Sequence, residues 1–472
     1  MRLPRMSETP DPAAGWLPVA DKFTGETIDR LPVAGAGEVD AAVVRAAAAF
    51  PAWSRTPAHQ RAAILLRAAR LIESLADAFA TIIAREAGKA WKHAAGEVAR
   101  SVETFTFAGE EAKRIHGETV PMDASTFGEH RVGFYVRSPL GVVAAITPFN
   151  FPLNLVAHKV GPALAAGNTV VLKPAEETPL TAVAMAECLR DAGLPPGVLE
   201  LVHGDGPATG HALVVHPTPA KVSFTGSPPV GAHILAHAGL KRVTLELGNN
   251  SGTIVEPDAN LDVAVPRCVS SAFANAGQVC ISLQRLYIHE AIATPFIERF
   301  LDVTRALKVG NPLERDCDVG PMISDEAAAR AEEWIAEAVG QGATLLAGGR
   351  REGRLVWPTV LTDTTPDMRV MCKEAFAPLV SVVVYRDFDD ALRMLGDSPY
   401  GLQAGVYTQD LRKAFKAVDA LDVGGVLVND TSIFRVDHMP YGGNRMSGIG
   451  REGVRFAVEE MTNVKFVCFN LG

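Results

Sequence analysis

The chain has 472 residues, 48% of them hydrophobic and 21% charged, the balance of a globular protein too long for one ordinary core and expected to form two or three domains. Lys and Arg number 45 against 54 Asp and Glu, a formal net charge of −9, which gives no electrostatic reason to expect nucleic acid or an anionic membrane as partner. No run approaches the roughly 20 apolar residues that span a bilayer, and Met1–Asp11 carries two Arg but no apolar stretch, so it lacks the pattern of a secretory signal and a cytoplasmic protein is expected.

In chain order, the Ala-rich run Ala41–Phe50 reads as plain helix. Residues 57–87 read as one amphipathic helix, with Pro57 at its first position and Ile64, Leu65, Leu71, Ile72, Leu75, Ile82 and Ile83 at helical spacing. A second helix covers about Ala94–Ile115 and stops at Gly117. The segment Glu118–Arg137 differs, a polar stretch followed by alternating Val132, Phe134 and Val136; with the final Val464–Phe469 it predicts an extra antiparallel arm. From Val142 short apolar strands alternate with helices: Val142–Ile146, Thr169–Leu172, Leu199–Val202, Lys221–Phe224 and Val243–Leu245, with a helix over Pro179–Ala192 closed by Gly193. Such alternation builds a parallel doubly wound sheet, a common platform for nucleotides. A second alternating region runs from about Asn260 to Asn429, with strands near Arg285–His289, Leu379–Val384 and Gly425–Asn429.

The six cysteines, Cys188, Cys268, Cys280, Cys317, Cys372 and Cys468, stand singly, with no metal-site spacing. A reducing compartment keeps them as thiols, each a small core residue unless its surroundings argue otherwise. Gly204-Asp205-Gly206 with Gly210 follows a strand, but its spacing is one residue longer than the dinucleotide fingerprint, and it reads as a tight turn opening a helix. Phe224-Thr225-Gly226-Ser227-Pro228-Pro229-Val230-Gly231 leads from a strand into a helix. Its free N–H groups suit a phosphate, and an ordinary strand-to-helix turn explains the same residues. The strand ending at Lys173 delivers Lys173 and Glu176 to the carboxyl edge of the sheet, where ligands of such sheets sit. A carboxylate there accepts from both ribose hydroxyls and repels the extra phosphate of NADP; a solvated pair is the plainer reading.

Three further segments bear reactive groups. Thr147-Pro148-Phe149-Asn150-Phe151-Pro152 sets an amide directly after a strand. Leu245-Glu246-Leu247-Gly248 sets a carboxylate in an apolar strand end, where burial raises its pKa toward that of a useful base. Gly277-Gln278-Val279-Cys280 sets a thiol after a glycine. Singly, each has a structural explanation: an amide satisfying backbone, a paired carboxylate, a core thiol. Together they are the parts of nucleophilic catalysis at a carbonyl.

In this order, with Lys373-Glu374-Ala375-Phe376-Ala377-Pro378 and Pro440-Tyr441-Gly442-Gly443 downstream, the segments resemble the aldehyde dehydrogenase superfamily over essentially the whole chain. The resemblance implies Cys280 as nucleophile, Glu246 as general base and Asn150 as oxyanion donor beside the Cys280 N–H. It implies NAD rather than NADP as cofactor: Lys173 and Glu176 at the adenine ribose, Gly226 and Ser227 at a phosphate, Glu374 at the nicotinamide ribose, and Phe376, Ile146 and Phe149 along the groove. The chain departs from the family at Asn249 and Ala377, where glycine is usual, and at Pro228-Pro229, which replaces a more polar pair. Cys280 would attack the aldehyde, and the resulting thioester would be hydrolysed with Glu246 as base. A branch that passes its acyl group to coenzyme A differs at the position of Glu246. A non-catalytic structural relative is the alternative from another class, against which the intact Cys280, Glu246 and Asn150 stand.

For the substrate, His158 and Arg435 occupy positions often apolar in the family, with Phe151 and Tyr441 beside them. This resembles branches acting on lactaldehyde-like hydroxyaldehydes or small aldehydes with a phosphono, sulfo or carboxylate tail, which a fixed Arg binds bidentately. The alternative is that Arg435 pairs with Asp437 as loop glue and His158 is a satisfied helix residue. The expected architecture is α/β: a doubly wound Rossmann-like cofactor domain (1–117 and 140–248), an α/β catalytic domain (249–446) and a β-hairpin oligomerisation arm (118–139 and 447–472). The unpaired edge of Val464–Phe469 points to a homodimer or homotetramer.

Overall fold

A computed structural model describes residues 15–472 of the chain; the reading of Met1–Asp11 lies outside these residues. The first sheet has six strands in the order Gly448–Ile449, Arg242–Glu246, Lys221–Thr225, Val142–Ile146, Thr169–Lys173 and Leu199–Leu201. All neighbours are parallel except the short Gly448–Ile449, which runs antiparallel to Arg242–Glu246. Val142–Ile146, Thr169–Lys173 and Lys221–Thr225 are buried at every residue, as parallel strands covered on both faces must be. The chain steps outward from Val142–Ile146 on one side, then returns to lay Lys221–Thr225 on the other. That reversal leaves a crevice beyond the carboxyl ends of these two strands.

The second sheet has seven strands, in the order Thr344–Ala347, Thr359–Thr362, Leu379–Tyr385, Arg285–His289, Gly252–Val255, Gln403–Tyr407 and Gly425–Val428. Only Thr344–Ala347 is antiparallel to its neighbour. Four of these strands carry no readable period in the sequence: Gly252–Val255, Thr344–Ala347, Thr359–Thr362 and Gln403–Tyr407 are short and gain their partners from distant parts of the chain. The expected arm forms a third sheet. Thr462–Asn470 pairs antiparallel with Arg131–Pro139 over its whole length, and Thr119–Val120 lies on the far side.

The expected single helix over 57–87 is instead two, Ala58–Ser74 and Ala76–Ala87, broken at Leu75 with φ −109° and ψ 18°. Each half has its own apolar face, and the bend lets both reach the long helix Trp91–Glu111. That helix begins and ends about one turn before its expected limits. An amino-terminal hairpin, Trp16–Ala20 with Thr27–Pro32, was not anticipated. Among the described residues no helix is long and apolar enough to cross a membrane.

Candidate active site

Cys280 is delivered by an unusual turn. Asn275, Ala276 and Gly277 lie in succession in the left-handed region, at φ 52°, 54° and 68°. Such a run costs about 1–3 kcal/mol per non-glycine residue and persists only where its surroundings hold it. Here Gln278 holds it: its Nε2 donates to the Asn275 carbonyl at 3.2 Å, and its Oε1 accepts from Ile323 N at 3.0 Å. Gly277 admits no side chain, since a Cβ there would fall 2.0 Å from the Ala377 carbonyl oxygen. Cys280 Sγ is 2.9 Å from the Tyr441 hydroxyl. Burial pushes its thiol up to about 11, against the pull of the Tyr441 hydrogen bond and the Arg435 charge.

Asn150 sits beside this turn, with Nδ2 donating to the Gln278 carbonyl at 2.9 Å and Oδ1 buried without a partner. Its loop is clamped by Glu97, whose Oε1 accepts from Leu153 N and Asn154 N at 2.9 and 3.1 Å. The other Glu97 oxygen pairs with Lys89, whose ammonium lies 3.6 Å from the Phe151 ring centroid. Glu246 ends its strand fully buried, with both carboxylate oxygens unpartnered. Burial first, and then the Glu452 carboxylate, raise it well above the ordinary carboxyl range; Arg435, Lys159 and Arg451 offset only part of this.

Behind Glu246 lies a charged layer that sequence reasoning missed. Lys159 Nζ is 2.8 Å and Arg435 Nη2 3.2 Å from the Glu452 carboxylate. Despite burial, these cations hold Glu452 at about 2. The available signal was a Lys inside Asn154–Ala166, a helix with every residue buried, since a charge there demands a partner.

The crevice beyond the first sheet is a continuous groove of two cavities, of about 280 and 470 Å³, sharing Pro148, Phe149, Thr225, Gly226 and Ser227. The first is lined by Ile146, Lys173 and Glu176; the second reaches Asn150, Cys280, Glu374 and Phe376. Lys173 Nζ is 3.1 Å from Glu176, and Phe149 meets Phe376 edge-on at 5.9 Å. Glu374 accepts from Asn249 N at 2.9 Å, and burial pushes its carboxyl up to about 7. Thr147 and Thr225 turn buried hydroxyls without partners toward this floor, orphans that a polar ligand would satisfy.

The helix after Ser227 starts at Pro228 and Pro229. Neither has an N–H, so the free amides expected there reduce to those of Ser227 and Val230. Asn249 and Ala377 are not among the residues at positive φ, so neither position needs glycine. The Gly204–Gly210 segment is the expected turn into a helix, and its Gly206 and Gly210 also line the groove.

The proposed substrate residues divide. Arg435 lies flat over Tyr441, its guanidinium carbon 3.6 Å from the ring centroid, and its Nε is buried without a partner. Its pairing with Asp437, one reading of the sequence, does not occur. Asp437 is taken by Arg100, by Asn154 Nδ2 at 2.9 Å and by His158 Nε2 at 2.8 Å. His158 is thus enclosed one layer behind Arg435; neither residue lines the cavity that holds Cys280.

The model of the aldehyde dehydrogenase family matches residues 10–467. The chain belongs to that family. It is 47% identical to 3-sulfolactaldehyde dehydrogenase of Priestia aryabhattai, over 96% of this chain and 95% of the relative. It is 38% identical to lactaldehyde dehydrogenase of Methanocaldococcus jannaschii, over 96% and 97%. Among solved structures, aldehyde dehydrogenase 21 of Physcomitrella patens, in complex with the reaction product succinate, superimposes with a TM-score of 0.95 at 40% identity, covering 98% of this chain and 96% of that one. This aldehyde dehydrogenase is therefore an NAD(P)-dependent oxidoreductase with the family's α/β fold.

Proposed function

We propose that this enzyme oxidises a short aldehyde with an anionic or strongly polar tail to its carboxylic acid, preferring NAD and using Cys280 as nucleophile. Arg435 carries the substrate class. A buried guanidinium with an unpartnered Nε lies on the ring whose hydroxyl touches Cys280, so a tail held there leaves the carbonyl of a short chain at the sulfur. With Nη2 held by Glu452, the free Nε can donate to one oxygen of a sulfonate or carboxylate, and the relatives' sulfolactaldehyde and succinate are consistent with it.

The groove fits a dinucleotide: Lys173 and Glu176 for the adenosine ribose, Gly226 and Ser227 for phosphate, Glu374 for the second ribose, and Ile146, Phe149 and Phe376 along its walls. When bound, the nicotinamide supplies the hydride acceptor that converts the aldehyde adduct on Cys280 into an acyl group. The Glu176 carboxylate disfavours a second phosphate on the ribose, which supports NAD over NADP.

The chain's own residues do the rest. Burial favours the thiol form of Cys280, so attack needs a base, and Glu246, raised and unpartnered, takes the proton as the Cys280 sulfur bonds to the carbonyl carbon. The Tyr441 hydroxyl steadies the sulfur. Asn150 Nδ2 and the Cys280 N–H donate to the oxyanion, each such donor being worth about 10²–10³ in rate. Glu246, having released the first proton to solvent, then takes a proton from the water that attacks the thioester carbon. The C–S bond breaks, the acid leaves, and the thiol is restored by that proton.

The same reading assigns cofactor binding to 1–117 and 140–248, catalysis to 249–446 and oligomerisation to the arm, giving a homodimer or homotetramer in the cytoplasm.

The test is an aldehyde panel followed by absorbance of the reduced cofactor, with sulfolactaldehyde, succinate semialdehyde, lactaldehyde and propanal. Turnover should favour the anionic members without added coenzyme A and vanish in Cys280→Ala. Arg435→Ala should raise KM for the anionic aldehydes by about 10–100-fold, the loss of one charge-assisted contact, and change propanal little. Equal effects on all four would sink the assignment of Arg435.

A further inference from the structure

The adenosine end of the groove carries a cluster with no role in the reaction. His211 opens the helix His211–Val215, and His233 and His237 lie one turn apart on Pro228–His237. His211 Nδ1 and His233 Nε2 are 3.0 Å apart, so one proton is shared between them. The His237 ring centroid lies 4.2 Å from that of His233 and 5.3 Å from that of His211, and His237 Nδ1 bonds the His233 carbonyl oxygen at 2.8 Å. His233 and His237 stack, and His211 and His233 share a proton; no group of three His, Cys, Asp or Glu among the described residues is arranged to hold a metal.

His211 and His233 line the same small cavity as Lys173, Glu176 and Glu177. The fixed charges around them have partners. Lys173 pairs with Glu176 at 3.1 Å, and Glu177 with Lys22 at 2.8 Å. Asp205 accepts from Ala208 N at 2.7 Å, and Asp40 meets His216 at 3.1 Å at the far end of the short helix. Protons taken up by the three imidazoles add positive charge to this fixed balance. Desolvation and the two neighbouring rings keep His233 below the ordinary histidine value, so His233 gains charge on the acid side of neutrality.

We propose that His211, His233 and His237 form a proton-dependent anion subsite, which admits the 2′-phosphate of NADP as the imidazoles protonate and so relaxes the preference for NAD set by Glu176. The inference rests on the groove being the dinucleotide site. His211 and His233 share the lining of this cavity of about 280 Å³ with Lys173 and Glu176, and charges act on one another over about one screening length, roughly 8 Å at physiological ionic strength. Above neutrality His233 is neutral and Glu176 dominates. Below it, the imidazolium charge offsets Glu176, and the phosphate in turn favours protonation.

Binding rather than turnover tests this. Dissociation constants for NAD and NADP, and for the fragments 5′-AMP and adenosine 2′,5′-bisphosphate, would be measured calorimetrically near pH 8 and pH 6. The proteins would be the wild type, His233→Gln and the triple variant His211→Gln/His233→Gln/His237→Gln. The rings are partly exposed, so the fold should tolerate these changes, and the single variant already breaks the shared proton.

In the wild type the NADP-to-NAD ratio of Kd should fall about tenfold or more on acidification, the equivalent of one unit of linked pKa shift. In both variants the fall should shrink to what the phosphate's own titration produces, with the fragments following suit. The same fall in all three proteins would overturn the subsite while leaving the groove intact. Failure of NAD itself to bind at either pH would remove the dinucleotide reading and the subsite with it.

Discussion

At the scale of single residues, environment separates the roles of chemically ordinary groups. Cys188, Cys268 and Cys317 are buried thiols like many others; Cys280 differs because a hydroxyl and a guanidinium reach toward its sulfur. Glu246 and Glu452 are both fully buried carboxylates, yet the first is driven up and the second held down. Two cations against Glu452 and none in contact with Glu246 account for the split, the pattern that divides acid from base roles in many sites. Because Glu246 must be ionised to act, activity should rise with pH along a limb lying above the ordinary carboxyl range. Glu246→Gln should lower steady-state turnover by about 10²–10⁴ and remove that limb. A pH–rate profile with the limb unchanged in the variant would place the base elsewhere.

At the scale of elements, the loops at strand ends need more support than the strands. The turn before Cys280 is held by Gln278 and by the close approach of Gly277 to Ala377. Gly277→Ala meets both a left-handed φ and a backbone oxygen 2.0 Å from the new carbon. It should cost about 1–3 kcal/mol locally and slow alkylation of Cys280 by iodoacetamide. Gly310→Ala, where a Cβ has nothing within 4 Å, serves as the neutral control. Comparable melting temperatures and thiol rates in the two variants would show that the turn does not depend on the glycine. On the arm, Thr462–Asn470 is an edge strand with Val464, Phe466 and Phe469 exposed. An unpaired edge with this much apolar surface should be covered by another copy. Phe466→Asp should lower the mass measured by light scattering, and an unchanged mass would remove the arm from the interface.

At the scale of the whole molecule, Asp437 joins distant parts of the chain, tying Arg100 of one helix and Asn154 and His158 of another to the carboxyl-terminal loop that carries Arg435 and Tyr441. Burial alone would raise its carboxyl, but the His158 hydrogen bond and the Arg100 guanidinium outweigh it and hold it well below the usual range. A carboxyl depressed in the folded state lends stability above its unfolded pKa, which is lost as pH falls. Asp437→Asn should therefore be less stable than the wild type at pH 7 by about 1.5–3 kcal/mol, the range for a hydrogen bond to a charged group. That gap should start to narrow below about pH 5 and go on narrowing below about pH 3, toward the depressed range of the folded carboxyl. Urea unfolding at several pH values reads it, and a gap independent of pH would show that the carboxylate charge is not what joins these parts.

The first sheet, the arm and the order of the motif segments were legible in the sequence, because buried parallel strands and alternating edge strands write their period locally. Residues such as Asn150, Glu246 and Cys280 could be named because each sits next to a strand end or a glycine. The break at Leu75 and the short strands of the second sheet were not legible, since distant neighbours decide both. Nor were the partners of the buried charges. That Arg435 meets Glu452 and Tyr441 rather than Asp437, that His158 is enclosed behind it, and that three histidines from two helices cluster, two of them sharing a proton, are results of packing. The sequence by itself determined which chemical groups the protein owns and the reaction class they compose. Only the tertiary structure decided which charges are matched and which are left open, because pairing energy depends on distances that no local pattern encodes.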